Sequence, residues 1–219
     1  MTDRLMIFAK APEPGRVKTR LCPPCTPADA ADLHGAFVRD VVARHQRVGR
    51  RTTVWRAGDA DHPLWGDLGV PLARQRGGDL GARMAAAFAD ECGDGARVVV
   101  LGTDSPSLPP SLVDAAFEAL AHVPCVLGPA CDGGYYLLGA RGSVPPVFDD
   151  MPWGSAGVLP RTLAALRTAC VPVHLLPFWY DVDRPADLDL LRAHLPVLAA
   201  LGEPAPMHTM AWLEAHHAP

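Results

Sequence analysis

The 219-residue sequence has no apolar run approaching the roughly 18–20 residues that a membrane span needs. It has no marked excess of either charge. Its 20 Lys and Arg stand against 24 Asp and Glu, a formal net charge of −4. That balance gives no global pull toward nucleic acid or an anionic membrane. Only a few apolar residues precede charge and proline in Met1 to Lys10, so no secretory signal is expected and a cytoplasmic location is. The nine histidines form no HExxH or comparable metal pattern. A disulfide framework is not expected of the six cysteines in a cytosolic chain of this size, and four stand alone. Cys22-Pro-Pro-Cys25 is the one close pair, and no second CxxC completes a four-sulfur zinc site. It follows a basic loop instead of opening a helix, so a pair of loop cysteines is expected rather than a redox centre. There is no internal repeat and no low-complexity linker.

What is present is an ordinary globular composition, 49% apolar and 20% charged, long enough for one sizeable core. Short apolar runs alternate with longer amphipathic ones. Leu5 to Ala9, Thr52 to Trp55 and Val98 to Leu101 read as strands, the last as a central one. Pro71 to Ala73 suits a short edge strand, and Val126-Leu127 and Tyr135 to Leu138 suit two more. Leu33, Phe37 and Val41, then Leu80, Met84 and Phe88, then Leu112, Ala116 and Leu120 recur at helical spacing. Thr26 or Asp29 is the expected cap of the first helix. Ser155 to Ala169 and Ala186 to Leu201 are expected helical, with an extended Val171 to Leu176 between them. Residues 203–219 show little periodicity and read as a C-terminal tail, loose or docking late, on a domain spanning 1–202. Strand–helix alternation implies a mostly parallel sheet covered on both faces. Ligands of such sheets sit beyond the carboxyl ends of the strands, which singles out Lys10 to Leu21 and Gly102 to Ser107.

The first of these segments puts Lys10, Arg16, Lys18 and Arg20 on one loop with Gly15 and Thr19. Cations and free backbone N–H groups at a point where glycine allows close approach make a phosphate cradle. The alternative is a solvated basic loop. The second segment, Gly102-Thr103-Asp104-Ser105-Pro106, sets Asp104 just past a buried strand, where a carboxylate is placed to hold Mg2+ or Mn2+; a cap for the next helix is the alternative. In Asp132-Gly133-Gly134-Tyr135-Tyr136 the paired glycines permit positive φ or close contact, and Asp132 is a candidate for the acceptor or a metal, against a simple turn. In Asp181-Val182-Asp183-Arg184-Pro185-Ala186-Asp187 the two carboxylates at 181 and 183 share one side of an extended segment. Asp183 is favoured for the metal, with Asp181 left open, and Asp187 is a candidate helix cap. A weaker anion or nucleotide site is Gly77 to Met84, with Gly78, Asp79 and Arg83 at a helix entry. Trp153 lines a pocket or packs in the core.

Phe-Ala-Lys-Ala-Pro…Val-Lys-Thr-Arg-Leu, Gly-Asp-Leu-Gly-x-Arg-Met, Gly-Thr-Asp-Ser-Pro, Asp-Gly-Gly-Tyr-Tyr-Leu and Asp-Val-Asp-x-Pro-x-Asp-Leu occur in that order. Together they resemble the DUF2064 family of transferases, over about Leu5 to Leu191. That family belongs with the nucleotide-diphospho-sugar transferases and is similar to the phospholactate guanylyltransferases. The resemblance implies a Rossmann-like, GT-A-like α/β/α three-layer sandwich. It further implies nucleotide phosphates on the first loop and Mg2+ at Asp104, with a second metal-side carboxylate in the Asp-Val-Asp stretch.

Two reactions follow from these residues. In nucleotidyl transfer, a small anionic acceptor attacks a nucleoside triphosphate and pyrophosphate leaves; Lys10, Arg16, Lys18 and Arg20 neutralise the triphosphate. Lys18, Asp104 and Asp132 are then the catalytic candidates. In glycosyl transfer a nucleotide-sugar binds by its diphosphate, and Asp132 orients the acceptor hydroxyl. The density of cations favours the triphosphate. A nucleotide-binding module without catalysis is the third reading. The expected partners are a nucleotide and a small acceptor, with no nucleic acid and no membrane, in a monomer or homodimer.

Overall fold

The structure, a computed structural model, describes residues 2–93 and 95–216. Seven strands form one sheet: β1 (Asp3–Lys10), β2 (Arg50–Ala57), β3 (Leu72–Arg74), β4 (Arg97–Leu101), β5 (Cys125–Pro129), β6 (Tyr135–Arg141) and β7 (Val173–Leu175). Their order is β3-β2-β1-β4-β6-β5-β7, and only β6 runs against its neighbours, pairing antiparallel with β4 and β5. The reversal follows from the short Cys131–Gly134 turn, since a parallel return would need a crossover helix.

The alternation along each strand sorts its side chains between two cores. Leu5, Ile7, Val54, Val99 and Leu101 face one side, packed with α1 (Pro27–His45) and α4 (Pro110–Ala119). Met6, Trp55, Val98 and Val100 face the other, packed with α3 (Leu80–Glu91) and α5 (Val158–Thr168). Between β2 and β3 the chain makes one helical turn, α2 (Leu64–Asp67), whose Leu64 and Trp65 close the rim of the first core. This is the expected three-layer α/β/α sandwich.

A third cluster lies outside the sheet. Leu33 and Phe37 of α1 pack against Leu188, Leu191 and Leu195 of α6 (Pro185–Ala200) and Trp212 and Leu213 of α7 (Met207–Ala215). The Leu33–Phe37–Val41 stripe is therefore divided, with Val41 under the sheet and the first two under α6 and α7. Of the two expectations for this tail, loose or docked, the structure shows the second: residues 207–215 are a packed helix. The buried Asp40 carboxylate accepts hydrogen bonds from the His208 and Thr209 backbone N–H groups and from Thr209 Oγ1, at 3.0, 2.7 and 2.6 Å. A carboxylate from another helix thus caps α7, a partner that helical periodicity cannot reveal. His216 stacks on Trp212 with ring centroids 4.1 Å apart, while residues 217–219 lie outside the described residues.

Candidate active site

The carboxyl ends of β1, β4 and β5 open onto a cleft of about 620 Å³. Lys10, Arg16, Lys18, Thr19 and Arg20 line it from the loop after β1. Asp104 enters from the loop after β4, Asp132 and Gly134 from the β5–β6 turn, and Asp181 and Asp183 from the segment before α6. Asp79 and Arg83 also line it. The two groups of opposite charge thus face one another across a single space. Gly15, Gly78 and Gly133 do not line it.

Local structure explains most of these placements. Lys18 takes a left-handed conformation, φ 48°, ψ 32°, and opens the 3₁₀ turn Thr19–Leu21. That conformation costs a non-glycine residue about 1–2 kcal/mol and needs a side chain held from elsewhere. The Lys18 ammonium supplies the hold: it donates to Val182 O at 2.8 Å and Asp183 Oδ1 at 2.9 Å, and is paired with Asp104 Oδ1. Three donors meet three acceptors. Val182 N–H in turn donates to Asp104 O at 2.8 Å, so the Asp-Val-Asp segment is pinned to the loop after β4 through backbone and side chain together. Trp179 Nε1 and Ser107 Oγ, and Ser107 Oγ and Tyr180 Oη, extend the same seam at 3.2 and 3.1 Å.

Asp104 caps no helix. The residue before α4 is Pro109, which makes no side-chain cap. Asp187 does the capping expected of it at α6, accepting from the backbone of Asp183 and Arg184 at 3.0 and 2.7 Å. Asp79 caps α3 through Ala82 N–H at 2.8 Å, so one of its oxygens serves the helix. Gly133 has φ +91°, and a Cβ there would fall 2.5 Å from the backbone of Ala156, so only glycine fits this turn. The turn aims Asp132, whose Oδ1 accepts from Gly134 N–H at 2.8 Å, into the cleft with its carboxylate exposed. Trp153 is half-buried; it lines the cleft and meets Tyr135 edge-on, centroids 6.3 Å apart.

The electrostatics follow from crowding. The Lys18 side chain is 3% exposed. Burial works to lower its pKa, but Asp104 and then Asp183 outweigh it and the pKa is raised. Burial works to raise Asp104; Lys18 foremost, with His34 and Lys10, holds it below the usual carboxylate range. Asp181 has no ion pair among the described residues, and Lys18 acts on it only weakly. Burial and then the Asp104 charge push it up to about 7, and the hydrogen bond from Ser105 Oγ at 2.5 Å offsets only part of this.

The structure separates the two carboxylates that the sequence left open: Asp183 faces Lys18, with Arg20 at 3.8 Å, and Asp181 faces Ser105. It also brings in His34, which the sequence reading passed over. This α1 residue lines the cleft, and its Nε2 lies 3.2 Å from Lys10 O. A carbonyl only accepts, so Nε2 carries the proton, and burial pushes the ring pKa down to about 4 and keeps it neutral. Its signal, one polar residue between the buried Leu33 and Phe37, had no motif around it.

Among the described residues no group of three or more His, Cys, Asp and Glu is arranged to hold a metal unaided. The Asp104 and Asp183 carboxylates nevertheless converge on one cationic atom and stay 46% and 36% exposed. Two hard oxygen donors with an open side fit Mg2+, which takes one or two carboxylates and completes its shell with phosphates and water. Cys22 and Cys25 are free thiols, and burial raises the Cys25 pKa.

The model of the DUF2064 family, described as an uncharacterized protein conserved in bacteria, matches residues 39–155. Comparison with curated proteins gave no match. Among solved structures, a protein of Desulfovibrio desulfuricans G20 provisionally described as a nucleotide-diphospho-sugar transferase is similar over 98% of this chain and 96% of its own, at 37% identity and a TM-score of 0.86. A CMP:2-keto-3-deoxy-manno-octonic acid synthetase complexed with CTP is similar over 92% of this chain and 100% of its own, at 14% identity and a TM-score of 0.56. Glucosyl-3-phosphoglycerate synthase of Mycobacterium tuberculosis, complexed with Mg2+ and UDP, is similar over 93% and 80%, at 13% identity and a TM-score of 0.53. The last two share the fold alone.

Proposed function

The chain belongs to the DUF2064 family, and on that premise we propose that it is a divalent-metal-dependent transferase that moves a nucleotidyl group from a nucleoside triphosphate to a small anionic acceptor, releasing pyrophosphate. The observation that carries this reading is the Lys18 bridge, which fixes the cationic loop after β1 and the carboxylates at 104 and 183 on one cleft. Lys10, Arg16 and Arg20 keep their charged groups exposed there and face the triphosphate. Lys18 differs from the sequence expectation: its ammonium is spent on Asp104 and Asp183, so it orients the site more than it touches phosphate.

Asp104 and Asp183 would hold Mg2+ or Mn2+, which supplies charge stabilisation at the reacting phosphorus when bound. The chain's own work is positioning and countercharge, the two requirements of phosphoryl chemistry. Arg16 and Arg20 offset the charge of the departing pyrophosphate. His34, neutral, fixes the Lys10 backbone through its carbonyl. Asp132 keeps one carboxylate oxygen free of hydrogen-bond partners among the described residues and directs the acceptor.

That free oxygen also supports the second reading, glycosyl transfer from a nucleotide-sugar, with Asp132 taking the proton of an acceptor hydroxyl. Incubation with each nucleoside triphosphate, Mg2+ and anionic acceptors, assayed for pyrophosphate, separates the two. UDP- and GDP-sugars are assayed in parallel for free nucleotide. Pyrophosphate without sugar-nucleotide turnover establishes the first reading; the reverse result replaces it with the second.

A further inference from the structure

A second cavity, also about 620 Å³, opens beside the cleft at the β3–β2 edge of the sheet. Arg56, Arg74, Arg76 and Arg83 line it, and among the described residues no carboxylate does. The chain as a whole is acidic, with 20 cationic side chains, so four in one small space is a local reversal of its charge. They come from the end of β2, from β3 and the residues after it, and from the first turn of α3, so the fold assembles the group rather than a run of sequence.

Their charges are only partly answered. Arg74 has no hydrogen-bonded or ionic partner among the described residues. The buried Arg56 Nε has none either, while its Nη1 donates to the Ala60 carbonyl. Arg83 Nε donates to Gly77 O at 3.3 Å. Of the four, only Arg76 is ion-paired among the described residues, with Asp90 at 2.5 Å. Asp59 and Asp61 flank Ala60, yet neither lines the cavity or pairs with one of its arginines. A guanidinium fork suits planar or tetrahedral oxyanions, and several guanidiniums held close together repel one another until an anion joins them. Gln75 and Arg83 belong to the walls of both cavities, so the two spaces adjoin.

We propose that this arginine cavity is an anion-binding subsite that takes a phosphate or carboxylate group of a small molecule, outside the site formed by the loop after β1. The group arrives either as the remote end of a substrate that passes Arg83 into the cleft, or on a separate anion that reports on it. The assignment adds to the transferase reading and is tested without turnover.

The full chain, in about 0.15 M salt to screen loose association, is titrated calorimetrically with inorganic phosphate, pyrophosphate and citrate, and the arginine side-chain NH signals are followed by NMR. Arg74→Gln and Arg56→Gln/Arg74→Gln are compared with Arg20→Ala, which removes a cation of the neighbouring cleft that does not line the arginine cavity. The expected result is a binding event that shifts the Arg74 and Arg83 signals, weakens about tenfold or more in the arginine variants and survives in Arg20→Ala. Arg74 is exposed, so its single variant guards against misfolding of the double one. Binding that survives Arg74→Gln undiminished, or that disappears only in Arg20→Ala, overturns the subsite. Once a turnover assay exists, inhibition by the bound anion identifies the source: competitive against one substrate marks that substrate's remote group, and noncompetitive marks a separate anion.

Discussion

The Lys18 ammonium and the Asp104 carboxylate form an ion pair that ties the loop after β1 to the loop after β4. Asp183 shares the same ammonium at 2.9 Å. The strained backbone at Lys18 would relax without these contacts.

Lys18→Met is therefore expected to lower both stability and activity. It leaves two carboxylates facing each other and the Val182 carbonyl unpartnered. Removing one partner of a buried pair costs about 3–5 kcal/mol, and the open faces of Asp104 and Asp183 bring the expected loss to about 2 kcal/mol. Lys18→Arg, whose planar fork cannot meet three convergent acceptors in the same space, should fold better than Met and still lose turnover. Urea unfolding and the pyrophosphate assay measure both effects. A Met variant as stable and active as the parent would remove Lys18 from the site.

Asp104→Asn should separate chemistry from folding. The amide oxygen still accepts from Lys18, and the Val182 N–H to Asp104 O bond is untouched. The loss of negative charge should cut turnover by about a hundredfold or more. Asp183→Asn should behave likewise, whereas Asp181→Asn should cost less, because Asp181 spends one oxygen on Ser105. If Asp181→Asn is more damaging than Asp183→Asn, the second metal-side carboxylate is Asp181. Thermal melts check that all three variants fold.

The parts of this site that the sequence made legible are those where one residue type has one use. Strand ends followed by Pro, Gly and cations marked the loop after β1, and Asp104 stood at the end of a β-branched run. The uses of Lys18 and Asp181 were not legible, because they depend on which neighbour each side chain reaches across the cleft. One sign was available: the chain has only two lysines, Lys10 and Lys18, and both fall in this loop. The antiparallel β6 follows from a turn length that was in plain view, while α7 could not be read because its cap, Asp40, lies on α1.

That cap gives the third prediction. Asp40 is 2% exposed, and its carboxylate serves two backbone N–H groups and one hydroxyl. Asp40→Ala strands all three and should cost about 2–4 kcal/mol. The loss should be local at first, with α7 leaving α1 and α6, so limited proteolysis should cut between residues 202 and 207 before the sheet unfolds. Uniform cleavage along the chain would mean instead that α7 and the sandwich unfold together.

Acid stability should turn on His45. It is 1% exposed, and neither ring nitrogen has a hydrogen-bond partner among the described residues. Burial, followed by the charges of Arg44, Arg47 and Arg50, pushes its pKa down to about 3. The unfolded chain protonates this ring near pH 6.5, and the folded chain refuses the proton until about pH 3. Between those values the unfolded state holds more protons, so stability falls as pH falls, by about 1.4 kcal/mol per pH unit for this one group. His34, with a pKa of about 4, adds a parallel loss over the upper part of the same window. His45→Leu removes the titrating group and two unpartnered polar atoms. It should leave stability at pH 7 equal or higher, and should make the decline between pH 6.5 and pH 4.5 shallower by about one proton's worth. Urea midpoints at pH 7, 6 and 5 for the parent and His45→Leu decide it. Identical slopes in the two proteins would show that the acid sensitivity arises elsewhere.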